Sequence, residues 1–238
     1  MTAILSEIIS FLKNPYSQPF QILNRKEKFQ YILKLGLFIF LINIAFALII
    51  AIEKFVLNKY GIEIKEIDIN FGKAYTILLL ALFVPFYEEL IFRLPLSLRK
   101  KDINVSLFTL LGIVGYILVL YCNDTTLSKI TTSLINFIFL FSGVGVVYLF
   151  NIITEDSLEK LKISSGKYFV FGSIIIFTLL HLSNIPDFDI RLLLIYLFNL
   201  LPVFFLGTII SFCRLRLGFF YGFLFHAGWN FLFVIFKI

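Results

Sequence analysis

Two adjacent glutamates, Glu88 and Glu89, end a long apolar stretch and are followed by Arg93. An ionisable side chain at the centre of a bilayer costs roughly 2.5–3.5 kcal/mol on insertion scales, so this concentration of charge indicates a functional site. Glu89 and Arg93 are spaced i,i+4 and share one helix face, where they can pair. Glu88 points about 100° away from that face. We therefore expect Arg93 to hold Glu89 and to leave Glu88 available to act on water.

Both histidines of the chain also lie inside apolar stretches. His181 follows Phe177 at i,i+4 spacing, and His226 precedes Asn230 at the same spacing, so each pair shares a helix face. A buried histidine is often only a packing residue, but ionisable residues inside membrane segments mark candidate functional sites. These four residues therefore join the glutamate pair as candidates.

A glutamate, two imidazoles and an amide could together activate water and cleave an amide bond. Apolar surroundings destabilise a carboxylate and make it a better proton acceptor, while imidazole and amide N–H groups can stabilise an oxyanion. No serine or cysteine lies in a nucleophile motif, which disfavours a covalent acyl-enzyme. The residues alone also allow a zinc site of the His₂Glu type, with Glu88, His181 and His226 as ligands, although no H-E-x-x-H is present.

The composition of the chain is that of a membrane protein. Its 238 residues are 60% hydrophobic, with a mean hydropathy of +0.96, whereas soluble domains are typically about 45–50% apolar. The net charge of +6 falls in short clusters between apolar stretches, which is typical of membrane-orienting charge and argues against a nucleic-acid partner. Cys122 and Cys213 lie on opposite sides of the predicted membrane topology, so we expect small buried residues rather than a disulfide.

We predict an all-α fold, a polytopic transmembrane bundle of about seven spans preceded by an interfacial helix. The interfacial helix covers residues 1–12 and is stopped by Asn14-Pro15. The predicted spans are about 31–52, 74–93, 103–122, 130–153, 168–184, 191–212 and 218–236.

Polar segments separate the predicted spans. Residues 53–73 are expected to form a surface loop or a short strand, and residues 155–167 a charged loop. No internal repeat or linker is visible, so we predict a single domain over 1–238 with an N-terminal arm at 1–29 and a core at 74–238.

The distribution of positive charge predicts the orientation. With a cytoplasmic N-terminus, the inner side holds thirteen Lys and Arg residues and the outer side seven, Arg93 being left aside. The positive-inside rule therefore predicts a multi-pass protein of the cell membrane with its N-terminus in the cytoplasm. Straight spans would place Glu88 and His226 at similar depths, but His181 about 10 Å deeper than the other two.

The chain resembles a known family in three motifs, which are Glu-Glu-x-x-x-Arg (Glu88, Glu89, Arg93), Phe-x-x-x-His (Phe177, His181) and His-x-x-x-Asn (His226, Asn230). They are similar to those of the CPBP family, the CAAX-processing and bacteriocin-processing (Abi) intramembrane proteases, which include the eukaryotic prenyl-protein endopeptidase. The resemblance covers residues from about 74 to the C-terminus. The interval between the first two motifs is long for the family and holds two extra apolar stretches, 103–122 and 130–153.

The resemblance implies an all-helical membrane core with an endopeptidase site inside the membrane. Glu88 would activate water, and His181 would help to position it. His226 and Asn230 would hold the oxyanion. Glu89 and Arg93 would support Glu88. No cofactor is needed by this mechanism, whereas the metal-dependent alternative requires zinc. The partner implied is a peptide or protein substrate that reaches the bilayer.

Two other classes of function use the same residues. A non-catalytic immunity or scaffold protein would bind a peptide or partner without cleaving it, and the complete acid, imidazole and amide set favours the enzyme over this alternative. A proton-coupled transporter would relay protons through buried Glu and His side chains. No inverted repeat with paired broken helices is visible, which disfavours the transporter.

Overall fold

Helices account for nearly all of the residues that the structure, a computed structural model, describes. The described residues are 2–16, 24–61, 78–124, 154–185 and 189–237. None of them lies in a strand, so the all-α prediction is confirmed over these ranges. The predicted span 130–153, the start of the span 74–93 and the possible strand between residues 62 and 73 lie outside the described part of the chain.

The elements are named here in chain order. The α-helices are α1 (Thr2–Lys13), α2 (Arg25–Lys59), α3 (Val84–Glu88), α4 (Lys100–Asp124), α5 (Glu155–Leu180), α6 (Leu193–Asn199), α7 (Leu201–Leu217) and α8 (Phe219–Lys237). Two π-helical turns enclose α3, the first π-turn (Leu79–Phe83) and the second π-turn (Glu89–Arg93). The 3₁₀ turns are Leu94–Ser97, His181–Asn184 and Ile190–Leu192.

Contacts divide the chain into two compact units. The first unit contains Met1–Phe86 and Lys167–Ile238, and the second contains Tyr87–Gly166. The first unit holds the N-terminal helices and the helical hairpin at the C-terminus, and the second holds the glutamate pair. The single domain over 1–238 stays a prediction.

Helix α1 ends at Lys13, immediately before Asn14-Pro15, as the sequence predicts. Its apolar face packs inside the first unit, where Phe11 is fully buried and meets the Phe212 ring of α7 edge-on at 5.3 Å. Its polar face carries Glu7, which accepts a hydrogen bond from the Tyr31 hydroxyl of α2. The N-terminal helix is therefore docked on two other helices through both of its faces.

Helix α2 has a complete start signal and a length that exceeds the predicted span. The Asn24 side chain accepts from the Glu27 backbone N–H, and the Glu27 carboxylate accepts from the Asn24 N–H, which is a capping box. The helix runs for 35 residues, about 52 Å at 1.5 Å per residue. It therefore extends beyond both ends of the predicted span 31–52.

Residues 155–167 are helical, so the predicted charged loop is wrong. The Thr154 hydroxyl accepts from the Ser157 N–H and caps helix α5, while Glu155 and Asp156 stand in the first turn, where acidic side chains complement the helix dipole. Acidic residues at this position therefore stabilise the start of a helix and do not prevent one. The apolar part of the helix contains the predicted span 168–184, which finishes in the 3₁₀ turn His181–Asn184.

The predicted span 191–212 is broken. Helices α6 and α7 meet at Leu200 at an angle of 46°. Pro202, in the first turn of α7, accounts for the break, because its ring and its missing N–H prevent an α-helix from continuing through it. Cys213 on α7 is buried and has no disulfide, as expected, whereas the side chain of Cys122 lies outside the described residues.

Helices α7 and α8 form a close hairpin that depends on two glycines. Gly218 joins them with φ +105°, a conformation that other residues rarely adopt. One turn later, a Cβ atom at Gly222 would lie 3.3 Å from the backbone N and Cα of Arg214. These two glycines therefore serve the turn and the close approach of the helices.

By length and composition, two described helical segments could cross a membrane, Arg25–Lys59 and Glu155–Asn184. The bent pair α6 and α7 is a third if it counts as one span, and Phe219–Ile235 is a shorter apolar helix. These findings support a membrane protein. The number of seven spans and the cytoplasmic N-terminus stay predictions.

Candidate active site

The glutamate pair lies in a segment that is not a straight α-helix. The first π-turn leads into α3, which ends at Glu88, and the second π-turn begins at Glu89. Pro85 stands in α3, between the two π-turns. Single π-turns inserted in helices occur frequently at functional sites. The junction between α-helix and π-helix lies between the two carboxylates.

Glu89 and Arg93 form the pair that their spacing predicts. The Arg93 Nε lies 3.9 Å from the Glu89 Oε1, and both side chains are fully buried. Arg93 also interacts electrostatically with Glu88, although more weakly than with Glu89. The prediction that Glu88 is available to act on water stays a prediction. Because Glu88 is only half-buried, it is the more accessible carboxylate of the two.

His181 is the first residue after helix α5, and its ring caps that helix. Its Nδ1 lies 2.8 Å from the Phe177 carbonyl oxygen, which belongs to the last turn of the helix. A carbonyl oxygen can only accept, so the Nδ1 carries the proton and donates it. In the neutral ring the Nε2 then keeps its lone pair and can accept a hydrogen bond from water.

Phe177 brings the two histidines together. Its ring centre lies 4.7 Å from that of His181 and 5.8 Å from that of His226, with edge-on geometry in both cases. Phe177 and His226 are each only 1% exposed, whereas His181 is half-buried. The separation in depth expected from straight spans therefore does not keep the two rings apart.

Asn230 lies one helical turn after His226 on α8. Its Nδ2 donates a hydrogen bond to the Leu80 carbonyl of the first π-turn, at 3.2 Å. One compact unit thus contains the first π-turn and four of the candidate residues, which are Phe177, His181, His226 and Asn230. Glu88, Glu89 and Arg93 belong to the other unit.

Ser106, which supports the second π-turn, was not among the residues predicted from the sequence. Ser106 on α4 is 5% exposed, and its hydroxyl donates to the Ile91 carbonyl of the second π-turn at 2.9 Å. The available signal was a proline inside an apolar stretch, because each proline removes a backbone donor and leaves a carbonyl that another group must satisfy.

A metal site would need at least three ligands close together. Within the described ranges, no group of three His, Cys, Asp or Glu side chains has an arrangement that could hold a metal ion. The zinc set of Glu88, His181 and His226 stays a prediction from the sequence, because its residues belong to two different units.

Comparison with known proteins identifies the family. The model of the Rce1-like family, described as type II CAAX prenyl endopeptidase Rce1-like, matches residues 70–232 and so includes all three motifs. No curated protein and no solved structure gave a significant match. The matched region covers about two thirds of the chain, and the chain therefore belongs to the Rce1-like type II CAAX prenyl endopeptidase family of membrane proteases.

Proposed function

We propose that this protein is an intramembrane endopeptidase that hydrolyses a peptide bond with water activated by Glu88. The observation that carries the proposal is the ring cluster in which both histidines of the chain meet Phe177, at 4.7 Å and 5.8 Å. Packing alone does not require two imidazoles on one phenylalanine in an apolar helical unit. The family match over residues 70–232 supports the same reaction class.

In the proposed reaction Glu88 removes a proton from water while the water oxygen attacks the carbonyl carbon of the peptide. The Nε2 of His181 accepts the second water proton as a hydrogen bond, since its Nδ1 is engaged by the Phe177 carbonyl. His226 and Asn230 donate to the oxyanion of the tetrahedral intermediate. Glu88 then transfers its proton to the leaving amine, and the two peptide fragments separate.

Glu89 and Arg93 have a structural role in this scheme. Both are fully buried and in contact with each other, whereas Glu88 is half-buried, which supports Glu88 as the carboxylate that acts on water. Removing one member of a buried ion pair typically costs about 3–5 kcal/mol, because the other charge remains in apolar surroundings. We therefore assign Glu89 to the support of the segment rather than to proton transfer.

The test uses the purified full-length protein in liposomes and a farnesylated CAAX peptide as the probe, with the unprenylated peptide beside it. Glu88→Gln should lower kcat by about 10²–10⁴, and His226→Ala by about 10²–10³. Glu159→Gln, an exposed glutamate on α5, is the matched control and should cleave at the wild-type rate. Full cleavage by a correctly inserted Glu88→Gln protein would refute the proposal.

A chelator separates the glutamate mechanism from the metal-dependent alternative. The proposed mechanism contains no metal step, so 1,10-phenanthroline should leave the rate of cleavage unchanged. Loss of activity with the chelator and recovery with zinc would replace it with the metal-dependent mechanism. Binding of the probe without cleavage by the wild-type protein would instead favour the non-catalytic scaffold.

A further inference from the structure

The first π-turn has a backbone carbonyl whose usual donor is missing. In this turn the Val84 N–H donates to the Leu79 carbonyl, five residues earlier. The next donor in the same register is residue 85, which would reach the Leu80 carbonyl. Residue 85 is proline and has no N–H. The turn therefore leaves the Leu80 oxygen without a donor from its own ladder.

A side chain from helix α8 takes the place of that donor. The Asn230 Nδ2 lies 3.2 Å from the Leu80 oxygen, although the two residues are 150 positions apart in the sequence. An unsatisfied backbone carbonyl in the apolar core of a membrane costs several kcal/mol. The amide of Asn230 thus replaces the hydrogen bond that Pro85 removes and ties the first π-turn to α8.

The second π-turn repeats the arrangement with different residues. The register here tightens from the π-turn, in which the Leu94 N–H donates to the Glu89 carbonyl, to the 3₁₀ turn Leu94–Ser97. At this change of register an N–H at position 95 would reach the Ile91 carbonyl four residues earlier, but Pro95 has none. The Ser106 hydroxyl of α4 donates to that carbonyl at 2.9 Å. Two prolines thus remove donors on either side of the glutamate pair. In both cases a polar side chain of another helix supplies the replacement.

We propose that Asn230 and Ser106 are positioning residues that restore these two hydrogen bonds and so fix the backbone before Glu88 and after Glu89. Asn230 has two N–H groups on its amide, so one can hold the Leu80 carbonyl while the other stays available to an oxyanion. Ser106 has no part in the proposed reaction. The effect on catalysis rests on the proposed function, whereas the hydrogen bonds themselves do not.

The test removes each donor and returns the backbone N–H that its proline lacks. Asn230→Leu and Ser106→Ala should each lower the Tm of the full-length protein in one detergent by about 4–8 °C. Adding Pro85→Ala to Asn230→Leu should recover at least half of that loss, since an alanine N–H can reach the Leu80 carbonyl. Adding Pro95→Ala to Ser106→Ala should recover the Tm in the same way.

The crossed combinations are the matched controls. Pro95→Ala should not rescue Asn230→Leu, and Pro85→Ala should not rescue Ser106→Ala, because each proline leaves a different carbonyl without its donor. Cleavage of the farnesylated peptide should follow the same pattern. Each matched pair should regain at least tenfold in kcat over its single variant, and the Asn230→Leu pair should stay below wild type because its oxyanion donor is still missing.

Any one of three results would overturn the proposal. They are equal rescue by the two proline replacements, no rescue of Tm in the matched pairs, and rescue of Tm without any gain in kcat. If the wild-type protein does not cleave the peptide, the proposed function fails. The Tm measurements then decide by themselves whether the two side chains hold the π-turns.

Discussion

Gly222 on α8 lies against the backbone of α7, and replacing it with alanine is expected to force these helices apart. The added Cβ would lie 3.3 Å from the N and Cα of Arg214 and 3.4 Å from its Cβ. Carbon atoms prefer separations of about 3.5–4.0 Å, and a helix backbone cannot turn aside as the end of a flexible side chain can. Overpacking of this kind costs about 1–3 kcal/mol.

Gly228, on the same helix, provides the control. A Cβ at Gly228 would have no heavy atom within 4 Å. Both replacements gain about the same helix propensity, up to about 1 kcal/mol for alanine over glycine. That gain cancels when the two variants are compared, so the difference between them reports the overpacking alone. Gly222→Ala should be less stable than Gly228→Ala by about 1–3 kcal/mol.

Thermal unfolding of both variants in the same detergent measures this difference. One kcal/mol corresponds to about 2–4 °C in Tm for a chain of this size. His226 lies one helical turn after Gly222, so peptide cleavage should also fall in Gly222→Ala, since small displacements of catalytic groups reduce rates strongly. Equal Tm values for the two variants would show that the α7 backbone moves away from the added Cβ at no cost. The expected destabilisation by overpacking would then be wrong.

Three further predictions concern stability and charge. Phe177→Ala removes the ring that both histidines contact and should cost about 3–5 kcal/mol, seen as a fall in Tm; an unchanged Tm would contradict the packing described here. Asn24→Ala should destabilise α2 by about 0.5–2 kcal/mol, and Asn24→Gly by only a few tenths, measured by helix-specific hydrogen exchange; equal effects would exclude the cap. The Arg191 guanidinium donates to both oxygens of Asp189 and lowers the pKa of that carboxyl. The pair therefore stabilises the loop above the usual aspartate pKa and loses this effect as the pH falls through the lowered value. Arg191→Gln should raise the pKa of Asp189 in a carboxyl NMR titration, and an unchanged value would rule out this cause.

Local spacing predicted the contacts that a single helical turn decides. The pairing of Glu89 with Arg93 and the contact between Phe177 and His181 both follow from i,i+4 positions. The contact of Phe177 with His226 could not be predicted, because it depends on how α5 and α8 pack. Straight spans even suggested that the two histidines lie at different depths.

Other features could not be predicted from the sequence, because the same residues are compatible with more than one local structure. The charges of residues 155–167 predict a loop, whereas Thr154 and the acidic first turn make them the start of α5. The π-turns have no periodicity that distinguishes them from an α-helix in an apolar stretch this short. The prolines are the only sequence signal of an irregular helix in this segment. A proline predicts a break in the helical hydrogen bonds, but it does not predict which donor replaces its missing N–H.

The different surroundings of the two glutamates follow from their consecutive positions, because neighbouring side chains of a helix point about 100° apart. Glu88 closes α3 and is half-buried, whereas Glu89 opens the second π-turn and is fully buried beside Arg93. A buried ion pair adds little net stability, because the desolvation of both charges offsets their attraction. Turning the segment about its axis would move Glu89 and Arg93 together and bury Glu88 in their place, and the residue at i,i+4 from Glu88 is Phe92, which carries no charge to balance it. The pair thus favours the rotation of the segment in which Glu88 is the more exposed carboxylate of the two.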